Sequence, residues 1–82
     1  MTIQILGTGC PKCRQLESNA RDALADMTLD ATVEKVTDLD QIMNMGVMIT
    51  PALAVDGVIK SAGKVLSKGE IAQILEGGMH NG

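Results

Sequence analysis

The sequence predicts a single small α/β domain with element order β-α-β-α-β-β-α. Three observations carry this. A short Ile-rich run, Thr2 to Leu6, ends at a glycine and passes into a segment with helical periodicity. Two further apolar runs, Ala52 to Val55 and Val58 to Ser61, flank Asp56-Gly57, a two-residue hairpin signal. A second helical pattern closes the chain after Ser67-Lys68-Gly69-Glu70, a capping box. Strands one and two are joined through a helix and must lie parallel, whereas the last two form a hairpin. The expected sheet is mixed and four-stranded, in the order 2-1-3-4, with helices on both faces.

Each element has its own warrant. Thr2 to Leu6 is a buried strand. From Pro11 the period changes, and Cys13, Leu16, Ala20, Ala23, Leu24 and Met27 fall three or four apart on one helical face. Pro11 suits the first helical position, where its missing N–H is not needed. Glu17 and Arg21 are spaced i,i+4 in the favourable order. Ala31 to Val36 is a second strand, with Glu34 and Lys35 marking it as an edge. Thr37-Asp38 caps a short helix carrying Leu39, Ile42 and Met43, with Gly46 as its stop. The last helix buries Ile71, Ile74 and Leu75 and ends at Gly77-Gly78. The domain is expected to span residues 1–78, with 79–82 as a flexible tail.

Bulk properties narrow the function. Eighty-two residues make one domain, small enough that every core position counts. The chain has no aromatic residue, so Ile, Val, Leu, Met and Ala must build the core. Met43, Met45 and Met48 are expected to fill gaps there. A net charge of −3 without a basic cluster argues against nucleic acid, and no aromatic platform exists for stacking bases. No apolar run approaches the ~20 residues of a membrane span. The start, Met1-Thr2-Ile3-Gln4, lacks the basic lead and long apolar stretch of a signal peptide. A cytoplasmic setting is therefore expected, where thiols are kept reduced.

Both cysteines lie in one stretch, Gly7-Thr8-Gly9-Cys10-Pro11-Lys12-Cys13. Cys-x-x-Cys at the mouth of a helix fits either a redox pair or two soft-metal ligands. Gly7-Thr8-Gly9 is a tight turn delivering Cys10, since a phosphate loop would need a third glycine and a Walker lysine. His80, the one histidine, reads as a solvated residue of the tail.

Cys10-Pro11-Lys12-Cys13 after a first strand, then Ile49-Thr50-Pro51 entering a hairpin and a closing helix, resembles the thioredoxin fold in minimal form. The likeness is nearest to the small thioredoxin-like redox-active disulfide proteins and covers nearly the whole chain. The chain departs from typical thioredoxins in having Gly9 where a tryptophan precedes the first cysteine, and Pro11-Lys12 between the cysteines. No counterpart of the charged residue often buried beneath the disulfide is evident.

The resemblance implies a dithiol–disulfide oxidoreductase acting on protein disulfides, with no bound cofactor beyond the redox disulfide Cys10–Cys13. It implies a cis Pro51 packed against that pair, a Thr50 backbone that pairs with extended substrate, and Ile49 and Gly63 bordering the groove. Electrons would come from a flavin- and NADPH-dependent thioredoxin reductase, or alternatively from glutathione. The unit is expected to act as a monomer.

The residues fit these roles. Thiolates are the nucleophiles, and Cys10 at a helix start meets unpaired N–H groups and the positive dipole end. Lys12 is expected to add positive charge, lowering the Cys10 pKa. Cys13, on the apolar face, would be the shielded resolving thiol. The alternative is a Cu or Zn carrier using the same thiolates. Tetrahedral zinc wants four ligands, so two chains would have to share the metal.

Overall fold

The structure, a computed structural model, describes residues 1–80, with side chains through residue 76. Its elements run β1 (Thr2–Leu6), α1 (Pro11–Met27), β2 (Thr32–Val36), α2 (Leu39–Asn44), β3 (Ala52–Val55), β4 (Val58–Ala62) and α3 (Lys68–His80). The four strands form one sheet in the order β2-β1-β3-β4, as the element pattern predicts. β1 pairs parallel with β2, Ile3 opposite Val33, and antiparallel with β3, Ile5 opposite Leu53. β2 is an edge, in keeping with its charged residues.

The strand period of two divides the core between the faces. Ile3, Ile5 and Leu53 point to one face, where α1 supplies Leu16, Ala20, Ala23 and Leu24 and α3 supplies Ile71 and Leu75. Leu6, Ala52, Ala54 and Val36 point to the other, where they meet Ile42 of α2 and Val47. The fully buried aliphatics Ile3, Leu6, Leu16, Ile42, Leu53 and Ile71 replace the missing aromatics.

Local signals act as chemistry requires. Asp56 and Gly57 both take positive φ, 51° and 85°, the turn whose twist matches a hairpin. In the capping box, the Glu70 N–H donates to Ser67 Oγ at 3.2 Å and the Ser67 N–H donates to Glu70 Oε1 at 2.9 Å. The Asp38 carboxylate caps α2 by accepting from the Asp40 N–H at 3.0 Å.

Three expectations are corrected. Leu39 and Met43 were expected on the buried side of α2, but they are 57% and 62% exposed. A six-residue helix turns less than twice, and Ile42 alone fills the space over the sheet. Met48 is 89% exposed, so of the three methionines expected in the core, Met45 alone packs against it. Finally, α3 does not stop at Gly77-Gly78 but continues to His80. The expected solvation of the His80 side chain, and residues Asn81 and Gly82 of the expected tail, lie outside what is described.

Candidate active site

The site is built where β1 hands over to α1. Strand pairing extends one residue past β1, since the Gly7 N–H donates to the Val36 carbonyl at 2.9 Å. The chain then turns sharply through Gly9, whose φ of +93° suits glycine. This sets Cys10 at the N-cap of α1 in extended conformation, with Pro11 as the first helical residue. The Cys10 carbonyl accepts the Arg14 N–H at 3.1 Å, the first helical bond. One turn in, the Cys13 N–H donates to Cys10 Sγ at 3.4 Å, so the sulfur takes the role of a capping oxygen. The two sulfurs are 2.7 Å apart as free thiols. Cys10 is half-buried, whereas Cys13 is only 5% exposed.

β3 closes the site from the other side. The Thr50–Pro51 peptide bond is cis, as the resemblance implies. Pro51 is buried, while Ile49 and Thr50 are exposed. The Pro51 carbonyl accepts the Gly63 N–H at 2.8 Å, joining the loop before β3 to the end of β4. Gly63 has φ +79°, and a Cβ there would lie 2.8 Å from Ile49 Cγ2. A Cβ built on Gly7 would overlap Cys13 Sγ and lie 3.8 Å from Thr50 Cβ. Cys13, Gly7 and Thr50 thus converge on one point, with Ile49, Pro51 and Gly63 as a second group beside it.

Residues 1–76 match the family model described as thioredoxin domain. The chain is 51% identical over 75 residues to a thioredoxin of Methanothermobacter thermautotrophicus, covering 92% of this chain and 97% of that protein. It is 42% identical over 76 residues to a thioredoxin of Methanocaldococcus jannaschii, covering 93% and 87%. The chain belongs to the thioredoxin family. As a member carrying paired thiols, it is a thiol–disulfide oxidoreductase.

The two thiols of this thioredoxin-family site are electrostatically unequal. The Cys10 thiol is held below its ordinary pKa, first by the hydrogen bond from the Cys13 thiol, then by the Cys13 backbone N–H, with smaller help from the backbone N–H groups of Lys12 and Cys10. The Cys13 thiol is pushed up, first by burial and then by giving its proton to Cys10. Lys12 therefore acts through its backbone N–H. Its ammonium charge, expected to lower Cys10, does not figure among the causes of that shift, and its side chain is exposed.

Sequence reasoning missed Gly7 as a contact of Cys13, because a glycine after a strand carries no mark of what lies six residues on. It also missed that Arg14, Glu17, Lys35 and Thr37 share a cavity with Cys13. Among the described residues, no group of three or more His, Cys, Asp or Glu is placed to hold a metal ion.

Proposed function

We propose that this chain reduces and exchanges protein disulfides, with Cys10 as nucleophile and Cys13 as resolving thiol. The carrying observation is the asymmetry of two sulfurs 2.7 Å apart, one half-exposed and capping a helix, the other buried behind it. The Cys10 thiolate attacks one sulfur of a substrate disulfide. A new S–S bond forms and the other substrate sulfur leaves as a thiolate. Cys13 loses its proton and attacks Cys10 Sγ. That closes the Cys10–Cys13 disulfide and expels the second substrate thiolate.

Gly9, Pro11 and Lys12 shape the cap that holds Cys10. Ile49, Thr50 and Gly63 border the groove for an extended substrate segment, whose main chain would pair with the backbone of Thr50. Pro51 packs against the thiols. No bound cofactor is needed, since the pair itself carries the two electrons. The electron donor is a flavin- and NADPH-dependent thioredoxin reductase. The protein works as a monomer in the cytoplasm, its domain spanning residues 1–78. No helix among the described residues is long and apolar enough to cross a membrane.

The test is NADPH consumption coupled to reduction of a protein disulfide such as insulin, in the presence of a thioredoxin reductase. The wild-type chain is expected to support turnover and Cys10→Ser to reduce it to background. Undiminished turnover in Cys10→Ser eliminates the mechanism.

A further inference from the structure

Two of the three methionines expected in the core stand outside it. Met48 is 89% exposed and Met43 is 62% exposed. Of the seven large apolar side chains exposed among the described residues, four fall in one stretch: Leu39, Met43, Met48 and Ile49. That stretch runs straight into the cis Thr50–Pro51 bond. Its backbone is anchored on both sides of Met48. The Gly46 N–H donates to the Met43 carbonyl at 2.9 Å and the Val47 N–H to the Ile42 carbonyl at 3.3 Å, tying the chain to the end of α2. Val47 and Pro51 are both buried, and Pro51 is bonded to Gly63. Met48, Ile49 and Thr50 are therefore a three-residue span held out between two buried anchors. Met48 owes its exposure to that span and not to a loose end. A small domain gives up burial it needs when it leaves large apolar side chains in water. A patch of them beside a groove marks an interaction surface. The thioethers of Met43 and Met48 add what Leu39 and Ile49 lack, a sulfur that can take up oxygen.

We propose that Met48, and more slowly Met43, is a modification site for hydroperoxides, and that its sulfoxide weakens the docking of protein disulfides while leaving the redox pair intact. The inference rests on the dithiol–disulfide reading above. It extends the substrate surface of that reading from Ile49 and Thr50 back through Met48 to Met43 and Leu39. The sulfur lone pair attacks the outer oxygen of the hydroperoxide. An S–O bond forms, the O–O bond breaks, and the departing oxygen takes the peroxide proton and leaves as water or an alcohol. Sulfur is oxidised by two electrons and the peroxide is reduced by two. The sulfoxide is polar where the thioether was apolar. A protein substrate covering Met48 must then strip water from an S=O group for which it brings no donor, and that costs binding. The Thr50 backbone and the two thiols are unchanged, so a substrate too small to reach Met48 is not affected. Met45 lies in the same stretch but packs against the core beneath α2, so it is shielded and serves as an internal reference.

The experiment oxidises the thioethers without the thiols. The chain is first converted to its Cys10–Cys13 disulfide, so that hydrogen peroxide finds no thiolate. It is then treated with limiting peroxide, and peptide mapping by mass spectrometry follows each sulfoxide. Met48 is expected to react first, Met43 next and Met45 last. With dithiothreitol as donor, the KM for insulin is expected to rise by roughly threefold or more, a part of what covering a Met side chain contributes, with kcat unchanged. The single-turnover reaction of the reduced chain with 2-hydroxyethyl disulfide should keep its rate. Methionine sulfoxide reductases for both epimers should restore the insulin KM. Met48→Leu, compared with itself before and after peroxide, should lose most of the rise. Met48→Gln should raise the KM without peroxide, and the position is exposed enough that neither substitution disturbs the core. Equal oxidation of Met48 and Met45 overturns the proposal, as does an insulin KM that peroxide does not move. So does an equal slowing of the small disulfide, which would put the damage at the thiols. If the untreated chain fails to reduce insulin at all, the dithiol–disulfide reading has failed and the inference falls with it. If insulin is reduced and peroxide leaves its KM alone, only the modification site is lost.

Discussion

The mouth of α1 and its first turn lie three residues apart, and their sulfurs are 2.7 Å from each other. Yet they occupy different physical worlds. At the mouth, Cys10 faces solvent on one side and backbone N–H groups on the other, so its anion is favoured. One turn in, Cys13 is pressed against Gly7, just past the central strand, and has lost its water, so its anion is penalised. The same pair bond acts oppositely on the two. Whichever sulfur holds the shared proton lowers the pKa of its neighbour and raises its own. The difference between the two thiols therefore follows from their depth along one helix.

Separating the two roles gives the largest effect. Incubated with a protein disulfide, Cys13→Ser is expected to stop after one attack and hold the substrate on Cys10 as a near-stoichiometric adduct, visible on a non-reducing gel. Cys10→Ser should show almost none at neutral pH. Equal adduct yields from the two variants would abolish the distinction between the thiols.

Gly7 tests the wall behind the inner sulfur. An alanine Cβ there would overlap Cys13 Sγ and lie 3.3 Å from Cys13 Cβ, with the strand and the helix both fixed by core packing. Gly7→Ala is expected to cost about 1–3 kcal/mol, the range for overfilling a packed site, read as a lower urea midpoint. Gly69→Ala is the control. Its nearest neighbour would be Ser67 Oγ at 4.0 Å, in the first turn of α3, so it should be neutral or stabilising by up to ~1 kcal/mol. If the two substitutions shift the midpoint alike, Cys13 is not held by a close strand contact.

The contrast between Gly7 and Gly69 also shows what a sequence can and cannot disclose here. The hairpin at Asp56-Gly57, the capping box of Ser67 and Glu70 and the N-cap at Asp38 are written within four residues, because their chemistry is local. The strand order follows from these and from the crossover rule. The pressing of Gly7 against Cys13 and Thr50 depends on how α1 settles on the sheet, and no local pattern encodes that. The same holds for Arg14 and Lys35 sharing a cavity from different elements. The end of α1 carries no glycine mark: Thr28 takes the left-handed conformation there, φ 49°. Leu39 and Met43 were misread because the 3.6 period marks a face without saying how much of it a short helix can cover.

The titration of the two thiols gives a smaller effect of definite sign. Each reacts as thiolate, so its alkylation rate climbs with pH and levels off above its pKa. A lowered pKa moves the rise to lower pH. For the reduced protein with iodoacetamide, the Cys10 rise is expected below the ordinary thiol value of 9.0 and the Cys13 rise above it. Removing the main donor should undo part of this. In Cys13→Ala the Cys10 rise should move toward higher pH, since the Cys13 thiol contributes most to lowering it. A Cys10 profile unchanged by that substitution would mean that the helix mouth acts alone.

Lys12 supplies the smallest and most discriminating case. By charge alone, an ammonium between the two cysteines should favour the Cys10 thiolate, and its removal should raise the Cys10 pKa. In the structure, its exposed side chain leaves the charge to solvent, and the residue's contribution is the backbone N–H. Lys12→Gln keeps that N–H and deletes the charge. Exposed charge interactions amount to ~0–1 kcal/mol and are further weakened by salt. The Cys10 rise in Lys12→Gln should therefore move upward by less than it does in Cys13→Ala, and the difference should vanish at high ionic strength. A shift larger than that of Cys13→Ala, persisting in salt, would return the control of the outer thiol to side-chain charge. The backbone at the helix mouth and the inner thiol would then be secondary.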